Sequence, residues 1–172
     1  MQFIFTVANG DVAFCPTLYL LDITERIKAE PDKWFLIQSK NPATFNRVIM
    51  SRLGEKFPNN TILGVTLETN RDDLYEGISN APPPSKRYKD FLKVQHPFKM
   101  VTIEPCIDFD VDVMVEWVKN IGPCMVWLGY DSKRNYLPEP ELRKVRILHW
   151  KLSKLGYVVI LKTIRRAWWE KT

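Results

Sequence analysis

Six short apolar segments recur along this chain, and most of them end on a polar or charged residue. Consecutive segments are separated by enough residues for one helix and little else. Near-continuous hydrophobic runs of this length are typical of buried strands in a parallel sheet. The segments span residues 2–8, 34–40, 61–68, 99–106, 124–130 and 157–162. The pattern therefore predicts a βα unit that is repeated along the chain.

Helices are predicted in the intervals between these strands. The first begins near Pro16 and ends at Pro31, and the second runs from Pro42 to Gly54, because proline favours the first helical turn. The other three predicted helices span residues 87–94, 110–121 and 139–155. The proline-rich residues 80–86 are predicted to form an exposed loop on the ligand-facing side.

The length of the chain limits the architectures that it can form. A complete eight-unit barrel usually needs about 250 residues, whereas this chain has 172. Six units in this length predict a single α/β domain, residues 1–172, with one of two architectures. One is a partial (β/α) barrel of TIM-barrel type, and the other is a doubly wound sheet. In both, ligands bind at the carboxyl ends of the strands.

Polar residues directly follow the predicted strands, so they should gather at this carboxyl-end opening, which we call the mouth. A carboxylate there costs free energy unless it is paired, solvated or bound to a ligand. Glu68 and Glu104, on neighbouring strands, suggest a ligand site, although a purely structural network at the rim is the alternative. The other candidates are Asn9, Gly10, Asp11, Ser39, Lys40 and Asp131.

Positive charge is concentrated at the end of the chain. The net charge is +5, and residues 133–172 contain eleven Lys and Arg against three Asp and Glu. Such a region attracts polyanions, so Arg165, Arg166 and Trp168 are candidate nucleic-acid contacts. A protein partner is also possible for this basic region. Alternatively, the charges form a solvated helix face, and the tryptophan packs the C-terminal segment against the barrel.

Several classes of protein are disfavoured. No apolar run is long enough to span a bilayer and no signal peptide precedes the first strand, so we expect a cytoplasmic protein with no membrane contact. Cys15, Cys106 and Cys124 have neither disulfide-framework nor zinc-ligand spacing. The GxGxxG, Walker A and GxSxG motifs are absent from the sequence.

The strand-end motifs together resemble a known family. VANGD, FLIQSKNP, GVTLETN, VTIEPCIDF, VWLGYD and VVILKT are similar, in order and spacing, to segments of an uncharacterised, phage-associated branch of the radical S-adenosylmethionine superfamily. The similarity covers nearly the whole chain. Each motif is short, and the resemblance rests on five of them occurring together in register. It implies a partial (β/α) barrel that binds S-adenosylmethionine across its mouth.

The resemblance also implies roles for residues after the first two strands. Asn9, Gly10 and Asp11 match the segment that meets the amino group of the cofactor. Ser39 and Lys40 would face its carboxylate or the substrate.

Further roles are implied after the later strands. Glu68 and Asn70 would lie near the ribose. Glu104 and the turn at residues 129–131, which includes Asp131, would lie near the adenine or the substrate.

One departure from the family concerns its chemistry. The family binds a 4Fe–4S cluster through a CxxxCxxC loop after its first strand, and this sequence has no such loop. Its first strand matches the second strand of the family. We therefore expect a fragment, a split gene product or a degenerate relative. A cluster would require a separate N-terminal segment, and the open edge of the first strand would pair with that segment or with a second copy.

Overall fold

The six predicted segments form strands that lie side by side in chain order. The computed structural model describes residues 3–6, 10–49 and 56–171. Every neighbouring pair of strands is parallel. The strands are β1 (Phe3–Thr6), β2 (Trp34–Ser39), β3 (Thr61–Thr66), β4 (Lys99–Ile103), β5 (Met125–Leu128) and β6 (Val159–Leu161).

One α-helix lies between each pair of consecutive strands. The helices are α1 (Thr17–Lys28), α2 (Ala43–Ile49), α3 (Pro84–Leu92), α4 (Val111–Ile121) and α5 (Leu142–Lys154). Short 3-10 turns occur at Val12–Phe14 and Asp73–Tyr75. A doubly wound sheet reverses its strand order at a switch point, and this order does not reverse. The alternative of a doubly wound sheet is therefore wrong.

The sheet is curled into a half-barrel. The rings of Phe3 on β1 and Trp127 on β5 stack with centroids 6.0 Å apart. In a flat sheet these strands would lie about 19 Å apart, at four strand spacings of about 4.8 Å. Such a contact requires the sheet to bend toward the face that carries both rings. That face is the concave one.

Alternate residues along each strand pack on opposite faces of the sheet, as the pleat requires. Ile37 and Leu63 belong to the large core that also contains buried side chains from all five helices. Leu36 and Ile62, one position earlier, belong to a second cluster without helical residues. The helices thus cover the convex face, and the second apolar cluster fills the concave face near the amino ends of the strands. The carboxyl ends remain open.

Two helix boundaries differ from the prediction. Residues 80–86 do not form a loop throughout, because α3 already begins at Pro84. Proline is compatible with the first helical position, which needs no amide donor. Asp72 further stabilises this start, because its carboxylate accepts hydrogen bonds from the amide and hydroxyl of Ser85. Helix α5 begins at Leu142 instead of residue 139.

Parts of two predictions lie outside the described residues. These are the ends of the first strand, at residues 2 and 7–8, and the predicted end of the second helix at Gly54. Within the described chain, β1 pairs only with β2, so one of its edges is unpaired. No helix among the described residues is long and apolar enough to cross a membrane.

Close packing at Gly129 gives a test of the half-barrel. A Cβ on Gly129 would lie 2.8 Å from Lys162 Cβ and 3.1 Å from the Thr163 amide nitrogen. We expect Gly129→Ala to lower the free energy of unfolding by about 1–3 kcal/mol, because β5 and β6 must separate to admit the methyl group. Urea denaturation measures this change. Gly10→Ala, where a Cβ would meet nothing within 4 Å, is the matched control and should not be destabilised. Equal stability of the two variants would contradict this packing.

Candidate functional site

The polar residues after four strands line one cleft at the mouth. Its volume is about 670 Å³, within the usual range for small-molecule sites. Lys40, Glu68, Glu104 and Asp131 follow β2, β3, β4 and β5 respectively, and all four line this mouth cleft. Its apolar lining consists of Ile78, Pro105, Tyr130 and Leu137. The structure thus brings these four of the predicted strand-end residues together in one cleft.

Glu68 is the most tightly held carboxylate of the mouth. Its Oε1 lies 2.8 Å from Lys40 Nζ, and its Oε2 lies 2.8 Å from Arg87 NH1. The side chains of Glu68 and Arg87 are only 2% and 0% exposed. Glu68 also has a φ of 66°, in the left-handed region that non-glycine residues rarely adopt. Two cations therefore hold this carboxylate in a strained backbone conformation.

Arg87 reaches the mouth from α3 and is fixed by several contacts. Its Nε donates to the Pro82 carbonyl at 2.6 Å, and its NH1 donates to the Thr66 carbonyl at 3.0 Å. The guanidinium carbon lies 4.3 Å from the centroid of the Tyr75 ring, a cation–π geometry. Lys40 is more exposed, at 35% of its side chain. Lys40 is thus the cation of this network that a ligand in the cleft can reach.

Glu104 is held quite differently. It is half-buried, and no described residue forms a hydrogen bond or an ion pair with its carboxylate. Burial raises the pKa of Glu104 above its usual value, and the charge of Lys162 opposes this shift only in part. Lys162 Nζ instead lies 4.5 Å from the centroid of the Trp127 ring. Glu104 is therefore an acceptor that the described protein leaves available to a ligand.

Two buried polar atoms lie on the concave face below Glu104. Thr102 and Trp127 are partners in the β4–β5 register. Among the described residues, neither the Thr102 hydroxyl nor the Trp127 indole nitrogen has a hydrogen-bond partner. The concave face is thus apolar near the amino ends of the strands and carries unpartnered polar groups nearer the mouth.

Asp131 organises the loop that follows β5 and does not project as a free acceptor. Its carboxylate accepts hydrogen bonds from the Lys133 amide at 3.0 Å and from the Asn135 amide and side chain. Burial alone would raise the pKa of Asp131, but these donors outweigh burial and lower it. Asp131 therefore lines the cleft mainly as a structural residue.

A smaller cleft of about 280 Å³ adjoins the first and shares Lys40 with it. Gly10, Asp11 and Ser39 line this second cleft. The Asp11 carboxylate accepts from Ser39 Oγ at 2.5 Å, from the Lys40 amide at 2.6 Å and from the Ala13 amide at 2.8 Å. Asp11 thus joins the segment after β1 to the end of β2. Asn9 lies outside the described residues.

Asn70 does not line either cleft. Its side chain accepts from the Asp110 amide at 2.9 Å and donates to the Asp110 carbonyl at 3.1 Å. The neighbouring Arg71 forms salt bridges with Asp108 and Asp110. The loop after β3 is thereby attached to the start of α4, and the structure separates Asn70 from the other predicted cofactor residues.

The candidate nucleic-acid residues lie beside the mouth, on the C-terminal segment. Arg165 binds the carboxylate of the buried Glu139 at 2.6 and 2.7 Å and the Asp131 carbonyl at 2.9 Å. Trp168 donates from its indole to the Leu137 carbonyl at 2.7 Å. Arg166 is exposed and donates to the Lys171 carbonyl. Arg165 thus has a structural contact, whereas Arg166 and part of Trp168 face the surface.

Sequence reasoning missed two central residues, Arg87 and Glu139. Arg87 and Glu139 were each predicted only as the start of a helix. Arg87 forms a buried ion pair with Glu68, and the buried Glu139 pairs with the partly exposed Arg165, so both partners are far away in the sequence. The three prolines before Arg87 were a local signal that a helix starts there, but no local pattern indicated its charge partner.

The cysteines do not form a metal site. Cys15, Cys106 and Cys124 are all free thiols. Burial raises the pKa of Cys106 far above that of an ordinary thiol. In the described ranges, no group of three or more His, Cys, Asp or Glu side chains is arranged to hold a metal ion. Within these ranges, the cysteines are thus not grouped as ligands of a metal ion.

No protein-family model, curated protein or solved structure matches this chain.

The buried Arg87–Glu68 pair predicts a non-additive response to mutation. We expect Arg87→Leu to lower the free energy of unfolding by about 3–5 kcal/mol, because Glu68 then loses one of its two cations while buried. The double variant Arg87→Leu/Glu68→Gln should recover part of that loss. Urea denaturation of both variants measures the loss and its recovery. Lys86→Ala removes an exposed ammonium that pairs with Asp90 on the same helix, and Asp90 keeps its second partner, Lys93, so the change should cost below about 1 kcal/mol. Strict additivity would contradict the pairing.

The raised pKa of Glu104 predicts that ionisation of its carboxyl lowers the stability of the fold. A carboxyl whose pKa is raised in the fold holds its proton more tightly when folded, so stability falls as the pH rises through the interval above the unfolded value. We therefore expect Glu104→Gln to raise the thermal midpoint near pH 7 by on the order of 1–2 °C, with a smaller gain near pH 4. Calorimetric scans between pH 4 and pH 7 measure the difference in thermal midpoint between the variant and the wild type. A variant that is less stable than the wild type at pH 7 would show that the ionised carboxylate has a stabilising partner.

Proposed function

We propose that the mouth cleft binds S-adenosylmethionine, and that the chain is a TIM-barrel-like relative of the radical S-adenosylmethionine superfamily. The observation that carries the proposal is Glu104, a half-buried carboxylate in a cleft of about 670 Å³ with no partner among the described residues. The sequence resemblance supplies the identity of the ligand. The fold supports it to the extent that the cleft lies at the carboxyl ends of parallel strands.

The alternative was a purely structural network of polar residues at the rim. In such a network each carboxylate would be neutralised by protein donors. Glu68 and Asp131 meet this expectation, since cations or amides hold their oxygens. Glu104 does not. Its carboxylate has no donor among the described residues, which favours a site that an external cation completes.

The charges of S-adenosylmethionine suit the distribution of charge in the cleft. The molecule carries a sulfonium and an ammonium group, both positive, and a carboxylate. Glu104 would hold a positive group, and the exposed Nζ of Lys40 would hold the carboxylate. When bound, the cofactor supplies an electrophilic sulfonium centre. The contribution of this chain is to orient that centre and to shield it beneath the loop after β5.

Radical chemistry is not assigned to this chain alone. Reductive cleavage of S-adenosylmethionine in the superfamily requires a cluster held by three thiolates, and the cysteines here do not fit one. We propose that any cluster depends on thiols from another segment or chain. The unpaired edge of β1, where Phe5 is 41% exposed, would accept an added strand from such a segment or from a second copy.

Isothermal titration with two related ligands tests the proposal. S-adenosylhomocysteine has the same nucleoside and amino-acid groups but lacks the sulfonium charge. We expect the wild-type protein to bind S-adenosylmethionine, and Glu104→Gln to weaken this binding by about 10- to 100-fold, as for a hydrogen bond to a charged group. The same change should weaken binding of S-adenosylhomocysteine less.

Controls separate loss of the fold from loss of the site. Glu116→Gln removes an exposed carboxylate from α4 and should bind S-adenosylmethionine as the wild type does. Glu104→Gln should show a thermal midpoint no lower than the wild type. Absence of heat with either ligand at millimolar concentration would overturn the proposal, as would equal affinity of Glu104→Gln and wild type for S-adenosylmethionine.

A further inference from the structure

The loop between β5 and α5 separates two pockets, and its residues line both of them. We call residues 131–141 the rim loop. Lys133, Asn135 and Leu137 line the mouth cleft. Arg134 and Tyr136, the residues between them, line a separate pocket of about 330 Å³ on the other side. Successive residues of the rim loop thus face different spaces.

The rim loop holds its outward residues in a strained conformation. Arg134 and Tyr136 have φ values of 56° and 53°, and left-handed conformations of such residues cost of order 1 kcal/mol or more. Asp131 stabilises the conformation by accepting hydrogen bonds from the Lys133 and Asn135 amides. Strain that the surrounding structure maintains in this way is characteristic of functional sites. The conformation presents the two side chains on one surface.

The C-terminal segment braces the rim loop at three points. Arg165 binds the Asp131 carbonyl and the Glu139 carboxylate. Trp168 binds the Leu137 carbonyl through its indole and the Glu139 carboxylate through its amide. These contacts span the loop from its first residue to near its last. The outward surface is therefore pre-organised before any partner arrives.

Two aromatic rings are exposed on this surface. Tyr136 is 69% exposed and Trp168 is 53% exposed. Their rings meet edge to face, with centroids 5.5 Å apart. Exposed rings held in a fixed arrangement beside a pocket offer a platform for stacking.

The same surface carries cations without acidic partners. Within the described chain, no carboxylate lies within salt-bridge distance of Arg134 or Arg166. Among the described residues, the guanidinium of Arg166 donates to the Lys171 carbonyl, a neutral group. By contrast, Arg165 beneath them is already neutralised by Glu139. The surface is thus positive as well as aromatic.

We propose that this surface, formed by Arg134, Tyr136, Arg166 and Trp168, binds single-stranded nucleic acid. Bases stack on the exposed rings, and phosphates contact the guanidinium groups of Arg134 and Arg166. Exposed rings favour a single strand over a duplex, because stacking requires unpaired bases. They also favour nucleic acid over an acidic peptide, which would use the cations and leave the rings unused. This inference does not rest on cofactor binding in the mouth cleft.

Fluorescence anisotropy with a labelled oligothymidylate tests the inference. Tyr136→Asn removes the ring, and asparagine tolerates the left-handed conformation, so the variant should remain as stable as the wild type. We expect it to weaken binding by about 5- to 100-fold, as for loss of one stacked base. Arg166→Ala should weaken binding and lower the slope of log K against log salt by about 0.7.

The matched control is Arg146→Ala, which removes one exposed positive charge from α5. It should leave the affinity within about two-fold of the wild type. Equal losses from Arg146→Ala and Arg166→Ala would mean that binding is diffuse, and would overturn the proposed site. So would unchanged binding by Tyr136→Asn, tighter binding of duplex than of single strand, or displacement of the oligonucleotide by polyglutamate at similar concentration. Titration with S-adenosylmethionine is a separate measurement, so either proposal can fail alone.

Discussion

A buried carboxylate between two cations connects the principal parts of the mouth. Glu68 follows β3, Lys40 follows β2 and Arg87 belongs to α3, so the network attaches neighbouring strand ends to a helix on the convex face. Removing such groups from water costs several kcal/mol per ion, and only well-placed opposite charges offset this. An ion pair of this kind contributes little net stability compared with apolar packing. What it determines is geometry, because the two cations and the carboxylate make these contacts in one arrangement only.

The carboxylates of the mouth consequently divide into two groups. Glu68, Asp11 and Asp131 are occupied by protein donors and shape the site. Glu104 is left without a described donor, and its pKa is raised because burial penalises the charge. A protein that keeps such a group tolerates a cost in the free state. Binding of a cation would remove that cost, so the proposed binding site and a local destabilisation coincide at the same residue.

The strands and the mouth could be predicted because their signal is local. A hydrophobic run that ends on Lys40 or Glu104 specifies both a buried strand and the position of the polar group after it. The ion pairs could not be predicted, because Arg87 and Glu139 meet partners 19 and 26 residues away. Asn70 illustrates the same limit. The family resemblance placed it near the ribose at the mouth, yet it forms hydrogen bonds with Asp110, in the segment before α4.

The rim loop has a thermodynamic consequence that follows from its two faces. A single layer of backbone separates Lys133 and Asn135 on the inside from Arg134 and Tyr136 on the outside. Any ligand that shifts this backbone from one side alters the work needed to bind on the other. Such coupling is reciprocal, since each ligand must change the affinity of the other by the same factor. The left-handed residues make the rim loop a strained element, through which the two proposed ligands, inside the half-barrel and on its surface, would be thermodynamically linked.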